Sequence, residues 1–87
     1  MKVRIVYSGF LAEIAGKSIE EVEVSEDSTL ESLLNHVLSA NPRLKEWFER
    51  LPLLQVFVNG IEVLDYKRAK LKNNDEVVLS PPLYEGG

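Results

Sequence analysis

One continuous helical stripe constrains this chain more than any other feature. In "STLESLLNHVLSANP", Leu30, Leu33, Leu34, Val37 and Leu38 recur at i, i+3, i+4, i+7 and i+8, so they share one face of a helix. Ser28 is expected to cap it, with Glu31 three residues on completing a capping box. Asn41-Pro42 should end it, because a residue before proline avoids the helical region. "RLKEWFERL" places Leu44, Trp47, Phe48 and Leu51 at helical spacing, which predicts a short second helix or a continuation closed by Pro52. A single long apolar stripe in so short a chain needs a sheet to cover it, the α+β solution.

The strands follow from period and punctuation. Val3, Ile5 and Tyr7 alternate with Lys2, Arg4 and Val6, marking a strand with one buried face. "FLAEIAG" then allows a helical turn or two before Gly16. "SIEEVEV" predicts a second strand with Val22 and Val24 inward and Glu21 and Glu23 outward, antiparallel to the first. In "LLQVFVNGIEV", Asn59-Gly60 is the preferred pair for a two-residue hairpin turn. Val56 and Val58 should share one face, with Phe57 on the other. "LDYKRAKL" is irregular, and Asn73-Asn74-Asp75 is a turn into a last strand, "EVVLS", which Pro81-Pro82 cannot continue. The expected architecture is a β-grasp, with the first and last strands central and parallel. Residues 1–80 would form the domain and 81–87 a flexible tail.

Composition narrows the function. A chain of 87 residues buries roughly 60–65% of its unfolded surface and holds one modest core. A net charge of −4 with a pI near 4.9 argues against a nucleic-acid binder, which would show a basic face. Lys67, Arg68, Lys70 and Lys72 form one basic cluster, read as a solvated loop. The acidic run of Glu20, Glu21, Glu23, Glu26 and Asp27 reads as an outer strand face and its turn. No apolar run approaches a membrane span. The alternating N-terminus is unlike a signal peptide, so the cytoplasm is the default location. With no cysteine and a single histidine, His36, beside the helical stripe, no metal site is expected.

Attention then falls on the tail, "VVLSPPLYEGG". Pro81 and Pro82 stiffen the exit from the last strand. Leu83 and Tyr84 put apolar bulk where solubility would prefer charge, and Glu85 leads into Gly86 and Gly87. Two residues without a β-carbon make a narrow tip that can thread a slot and present a carboxylate. A carboxylate is a poor electrophile and must first be activated, typically by ATP as an acyl-adenylate. A sulfur nucleophile can then give a thiocarboxylate, and a lysine amine an amide.

These stretches together resemble the MoaD/ThiS family of ubiquitin-like sulfur carriers. The match runs over the "VRIVYSGFLAEIAG" opening, the "STLESLLNHV" helix, "VFVNG", the Asp-Glu turn, the diproline and the Gly-Gly end. The insert "NPRLKEWFERLP" makes the chain most like the MoaD branch, the small subunits of molybdopterin synthase. The resemblance implies that Gly87 is adenylated by an E1-like (MoeB-like) enzyme with ATP and becomes a thiocarboxylate. A large (MoaE-like) synthase subunit then takes its sulfur for the dithiolene of molybdopterin in molybdenum or tungsten cofactor synthesis. The chain itself would bind no cofactor and catalyse nothing alone. Gly86 and Pro81, Pro82, Leu83, Tyr84 and Glu85 would be inserted into the partner, and Tyr7 and Phe57 are candidates for apolar surface facing it. The chain departs from the family in its three-residue "LYE" spacer, where two residues are common, and in Ser80, where an aromatic is common. One extra residue moves the reactive carbon by up to ~3.5 Å along an extended tail. A protein modifier joined to lysines, a carrier for thiamine thiazole synthesis and a non-covalent binding module are the competing readings.

Overall fold

In a computed structural model, which describes residues 1–50 and 54–82, the expected α+β architecture is present. The order is β1 (Lys2–Tyr7), α1 (Leu11–Ala15), β2 (Ile19–Glu23), α2 (Leu30–Ala40), α3 (Pro42–Arg50), β3 (Gln55–Val58), β4 (Ile61–Glu62) and β5 (Glu76–Ser80). The described strands form one mixed sheet in the order β2-β1-β5-β3-β4. β1 and β5 are its parallel centre, and the other pairs are antiparallel. This is the β-grasp arrangement.

The core lies between one sheet face and the helices. Val3, Ile5 and Tyr7 of β1, Val56 of β3, and Val77 and Leu79 of β5 meet Leu30, Leu33, Leu34 and Val37 of α2, Leu11 of α1 and Leu44 of α3. Burying a leucine or valine side chain in such a core contributes roughly 1.5–3 kcal/mol. Leu71 joins them from the irregular segment.

The cap of α2 differs from the sequence expectation. Thr29, not Ser28, is the N-cap, and the reciprocal partner is Ser32, not Glu31. Thr29 Oγ1 accepts from the Ser32 N–H at 3.2 Å, and Ser32 Oγ accepts from the Thr29 N–H at 3.1 Å. Ser28 is engaged elsewhere: its hydroxyl donates to the Ser25 carbonyl at 2.6 Å, and its carbonyl accepts from Leu71 N–H at 2.9 Å. Asn41 ends α2 and starts α3, its Oδ1 accepting from Leu44 N–H at 3.2 Å. Pro42 fits at the first position of α3 because it has no N–H to leave unpaired.

The fold has two poles. Both central strands start at one of them. There Asn59 (φ 51°) and Gly60 (φ 84°) make the left-handed hairpin turn, and Asn73-Asn74-Asp75 leads into β5. Asp75 is 7% exposed. Its Oδ1 accepts from Asn59 Nδ2 at 2.8 Å and its Oδ2 from Lys72 N–H at 2.7 Å. Asn59 Oδ1 accepts from Glu76 N–H at 2.9 Å. The two turns are thus locked to each other. At the opposite pole β5 runs out into Pro81-Pro82.

Candidate functional site

The tail is anchored by the most enclosed strand of the sheet. β5 pairs with β1 on one side and β3 on the other, and Val77 and Leu79 are buried. Ser8 N–H donates to the Leu79 carbonyl at 2.9 Å, the last backbone bond joining the end of β1 to β5. Gln55 and Ser80 form the last register pair with β3. Pro81 and Pro82 offer no N–H, so pairing stops there.

Gly9 shapes this exit. Its φ of +60° lies in the left-handed region, and a β-carbon there would stand 3.5 Å from Pro81 Cγ. Space would allow that contact; the backbone conformation is what favours glycine. The Pro81 ring therefore rests against the turn that ends β1, and the Ser80 hydroxyl donates to the Pro81 carbonyl at 3.1 Å. These contacts set the direction in which the chain leaves the sheet. Leu83, Tyr84, Glu85, Gly86 and Gly87 lie outside the described residues, as do Leu51 and Pro52.

The two aromatic surface candidates part ways. Tyr7 does not face a partner: it is 3% exposed, on the helix-covered side of β1. Alternation puts residue 7 on the same face as Val3 and Ile5, and that face is the core. Its hydroxyl donates to Glu20 Oε1 at 2.8 Å, while Lys17 Nζ donates to Glu20 Oε2 at 3.2 Å. Burial, and then the hydrogen bond and charge of Glu20, push the Tyr7 phenol well above its usual range. Burial alone would raise Glu20, but the hydrogen bonds from Tyr7 and Lys17 and the lysine charge hold it below its ordinary value.

Phe57 is half-buried on the other sheet face, which carries no helix among the described residues. Register places Ile19, Val6, Val78, Phe57 and Glu62 in one row across all five strands. The neighbouring row is Glu21, Arg4 and Glu76, with Arg4 3.9 Å from Glu76. A single residue number could not show this row, because it depends on the order and register of all five strands. On the same face Gln55 holds a buried Oε1 with no hydrogen-bond partner among the described residues.

The other charged groups are dispersed. His36 is exposed on α2, and Glu21 and Glu23 point outward from β2. Lys67, Arg68, Lys70 and Lys72 are exposed near the turn pole, where Arg68 reaches Asp65 at 3.6 Å. Among the described residues no group of three or more His, Asp or Glu could hold a metal ion, and no helix is long and apolar enough to cross a membrane.

The ThiS family model matches residues 5–86. Curated proteins give no match. Among solved structures, SAMP1 from Haloferax volcanii has a TM-score of 0.83 at 25% identity, covering 100% of both chains. Putative molybdopterin converting factor subunit 1 from Pyrococcus furiosus has a TM-score of 0.81 at 26% identity, covering 95% of this chain and 99% of its own. A chain from the Helicobacter pylori complex of molybdopterin-converting factor subunits 1 and 2 has a TM-score of 0.70 at 22% identity, covering 99% and 100%. That last likeness speaks for the fold alone. A β-grasp sheet with a buried central strand aimed into a diproline, matched by the family model almost from end to end, places the chain in the ThiS family of ubiquitin-like sulfur carriers and modifiers.

Proposed function

We propose that this protein is a sulfur carrier, the small subunit of a molybdopterin synthase, and that the carboxylate of Gly87 is its reactive group. One observation carries the reading. The family match continues through residue 86, and it does so on a tail rooted in the buried central strand.

The chemistry then belongs to the backbone. A Gly87 carboxylate oxygen attacks the α-phosphorus of ATP on an E1-like enzyme, and pyrophosphate leaves. An enzyme-borne persulfide attacks the acyl carbon and expels AMP, forming an acyl disulfide. A second thiol breaks the S–S bond, leaving the thiocarboxylate on Gly87 and a disulfide on the enzyme. Glycine adds little crowding at the acyl carbon, and the enzyme supplies proximity and oxyanion stabilisation. The fold contributes a fixed root and a defined exit direction. The large synthase subunit then takes the sulfur, a partner suggested by the likeness to the putative molybdopterin converting factor subunit 1 from Pyrococcus furiosus. Incubation with an E1-like enzyme, ATP and a sulfur donor is expected to give the mass gain of an oxygen-to-sulfur exchange at Gly87. An unchanged intact mass, with an enzyme proven active on another carrier, would refute the reading.

A second reading rests on the SAMP1 likeness. The same adenylate would be captured by a lysine amine, making the chain a protein modifier. Lysine conjugates in cell extracts that vanish when Gly87 is deleted would favour it over the carrier.

A further inference from the structure

The open sheet face carries a pattern that is its own complement. Its middle row is apolar from β2 to β3, with Ile19, Val6, Val78 and Phe57 side by side. Ile19 is 55% exposed, and Val6, Val78 and Phe57 are only partly buried. The row nearer the turn pole runs acid, base, acid in Glu21, Arg4 and Glu76. Arg4 and Glu76 stand 3.9 Å apart, and about half of each side chain is exposed. An exposed pair at that distance is worth little by itself, so both charges can take a second partner. One level further out, Lys2 stands opposite Glu23. Lys2 and Arg4 thus balance two of the three carboxylates in this part of the face, although the whole chain carries −4.

The order of the charges indicates what covers the apolar row. β1 and β5 are adjacent and parallel. A two-fold axis running along the strands between them exchanges β1 with β5 and β2 with β3, and it keeps every row at its own level. Two sheets stacked in this way keep their strands within about 30° of each other. Val6 then lies against the second copy's Val78, and Ile19 against its Phe57. Arg4 meets the second copy's Glu76, and each contact occurs twice, as an isologous interface requires. Glu62, on the edge strand β4, falls outside the overlap and stays in water. A two-fold axis across the strands would instead set Glu76 over the level of Ser80, where a hydroxyl and not a cation answers it. Four strands spaced about 4.8 Å apart make a patch roughly 20 Å across, at the small end of specific interfaces.

We propose that the open sheet face pairs with itself, joining two copies of this chain in a symmetric, concentration-dependent dimer. The Ile19–Val6–Val78–Phe57 row forms its apolar centre, and reciprocal Arg4–Glu76 contacts form its charged rim. The strands of both copies run in the same direction, so both tails leave at one end of the dimer. The pairing makes no use of the Gly87 carboxylate and does not rest on the carrier reading.

Sedimentation equilibrium of the full chain, up to about 1 mM, tests this with wild type, Arg4→Glu, Glu76→Arg and an equal mixture of the two variants. Wild type should shift from monomer towards dimer as its concentration rises. Each variant alone gives positions 4 and 76 the same sign in both copies, and should dimerise at least about tenfold more weakly. The mixture should recover wild-type association or exceed it, because each acidic pair then meets a basic pair. Recovery in trans cannot come from a folding defect, and both side chains are exposed, so melting temperatures should stay close to wild type. Wild type that remains monomeric at about 1 mM would overturn the proposal and leave the face to a different protein. Variants that dimerise like wild type, or a mixture that does not recover, would overturn the Arg4–Glu76 pairing and with it this dimer.

Discussion

The two poles of this sheet are built on opposite principles. At the turn pole, polar groups are buried and matched: Asp75, Asn59, Lys72 and Glu76 exchange hydrogen bonds that tie one turn to another. At the tail pole the chain is held by packing, with the Pro81 ring on Gly9 and Leu79 in the core, while Phe10 is left to solvent. One end is closed upon itself. The other offers an anchored strand, a fixed exit direction and exposed apolar surface. Stability should therefore be concentrated at the first pole and partner use at the second.

Asp75→Ala should break the comparison most strongly on the stability side. It strands Asn59 Nδ2 and the Lys72 N–H, at a cost of about 3 kcal/mol. Urea unfolding would show this as a lowered midpoint, and sulfur loading should stay normal well below the melting temperature. Gly60→Ala and Gly9→Ala sharpen the contrast, since both place a β-carbon at positive φ and each should cost about 1–2 kcal/mol. Their adenylation rates should differ: Gly9→Ala alters the turn that seats Pro81 and should slow the reaction, whereas Gly60→Ala should not.

Tyr7→Phe is expected to cost about 1 kcal/mol by removing the bond to Glu20. It also carries a pH signature. Glu20 has a folded pKa below its ordinary 4.5, so its contribution is full above that value and is lost as pH falls through the lowered one. Melting temperatures followed down the acid limb should fall less steeply in Tyr7→Phe than in wild type. Gln55→Leu should have the smallest effect. It replaces an unpaired buried acceptor with an apolar side chain, and should leave stability unchanged or raise it by up to about 1 kcal/mol.

The individual strands and the main helix were legible because their signals are local, whereas the strand order, with β1 beside β5, is not a local signal. Alternation in "KVRIVY", the Asn59-Gly60 turn and the stripe from Leu30 to Leu38 each lie within a few residues. The features that sequence reading missed are long-range. Ser28 and Thr29 are both hydroxyl residues ahead of the helix, and a bond from Leu71, more than forty positions away, accompanies the shift of the cap to Thr29. Tyr7, a candidate for partner-facing surface beside the family resemblance, belongs to the core, where strand alternation with Val3 and Ile5 puts it. Asp75 read as an ordinary turn residue, since only the fold brings Asn59 to it. The edge-on contact of Phe10 with Trp47 joins the start of α1 to α3 across a strand and a third helix, so neither residue signals the other. The Gly-Gly tip lies outside the described residues; its reading as a reactive carboxylate rests on backbone chemistry, which needs no neighbours within the chain.

The most direct test compares the intact mass of wild type with that of a chain carrying one additional residue after Gly87. Both should melt at the same temperature. After incubation with an E1-like enzyme, ATP and a sulfur donor, wild type should gain the mass of an oxygen-to-sulfur exchange, and the extended chain should remain unmodified. Equal modification of both chains, or modification of neither by an enzyme active on another carrier, would contradict the assignment of the Gly87 carboxylate as the reactive group.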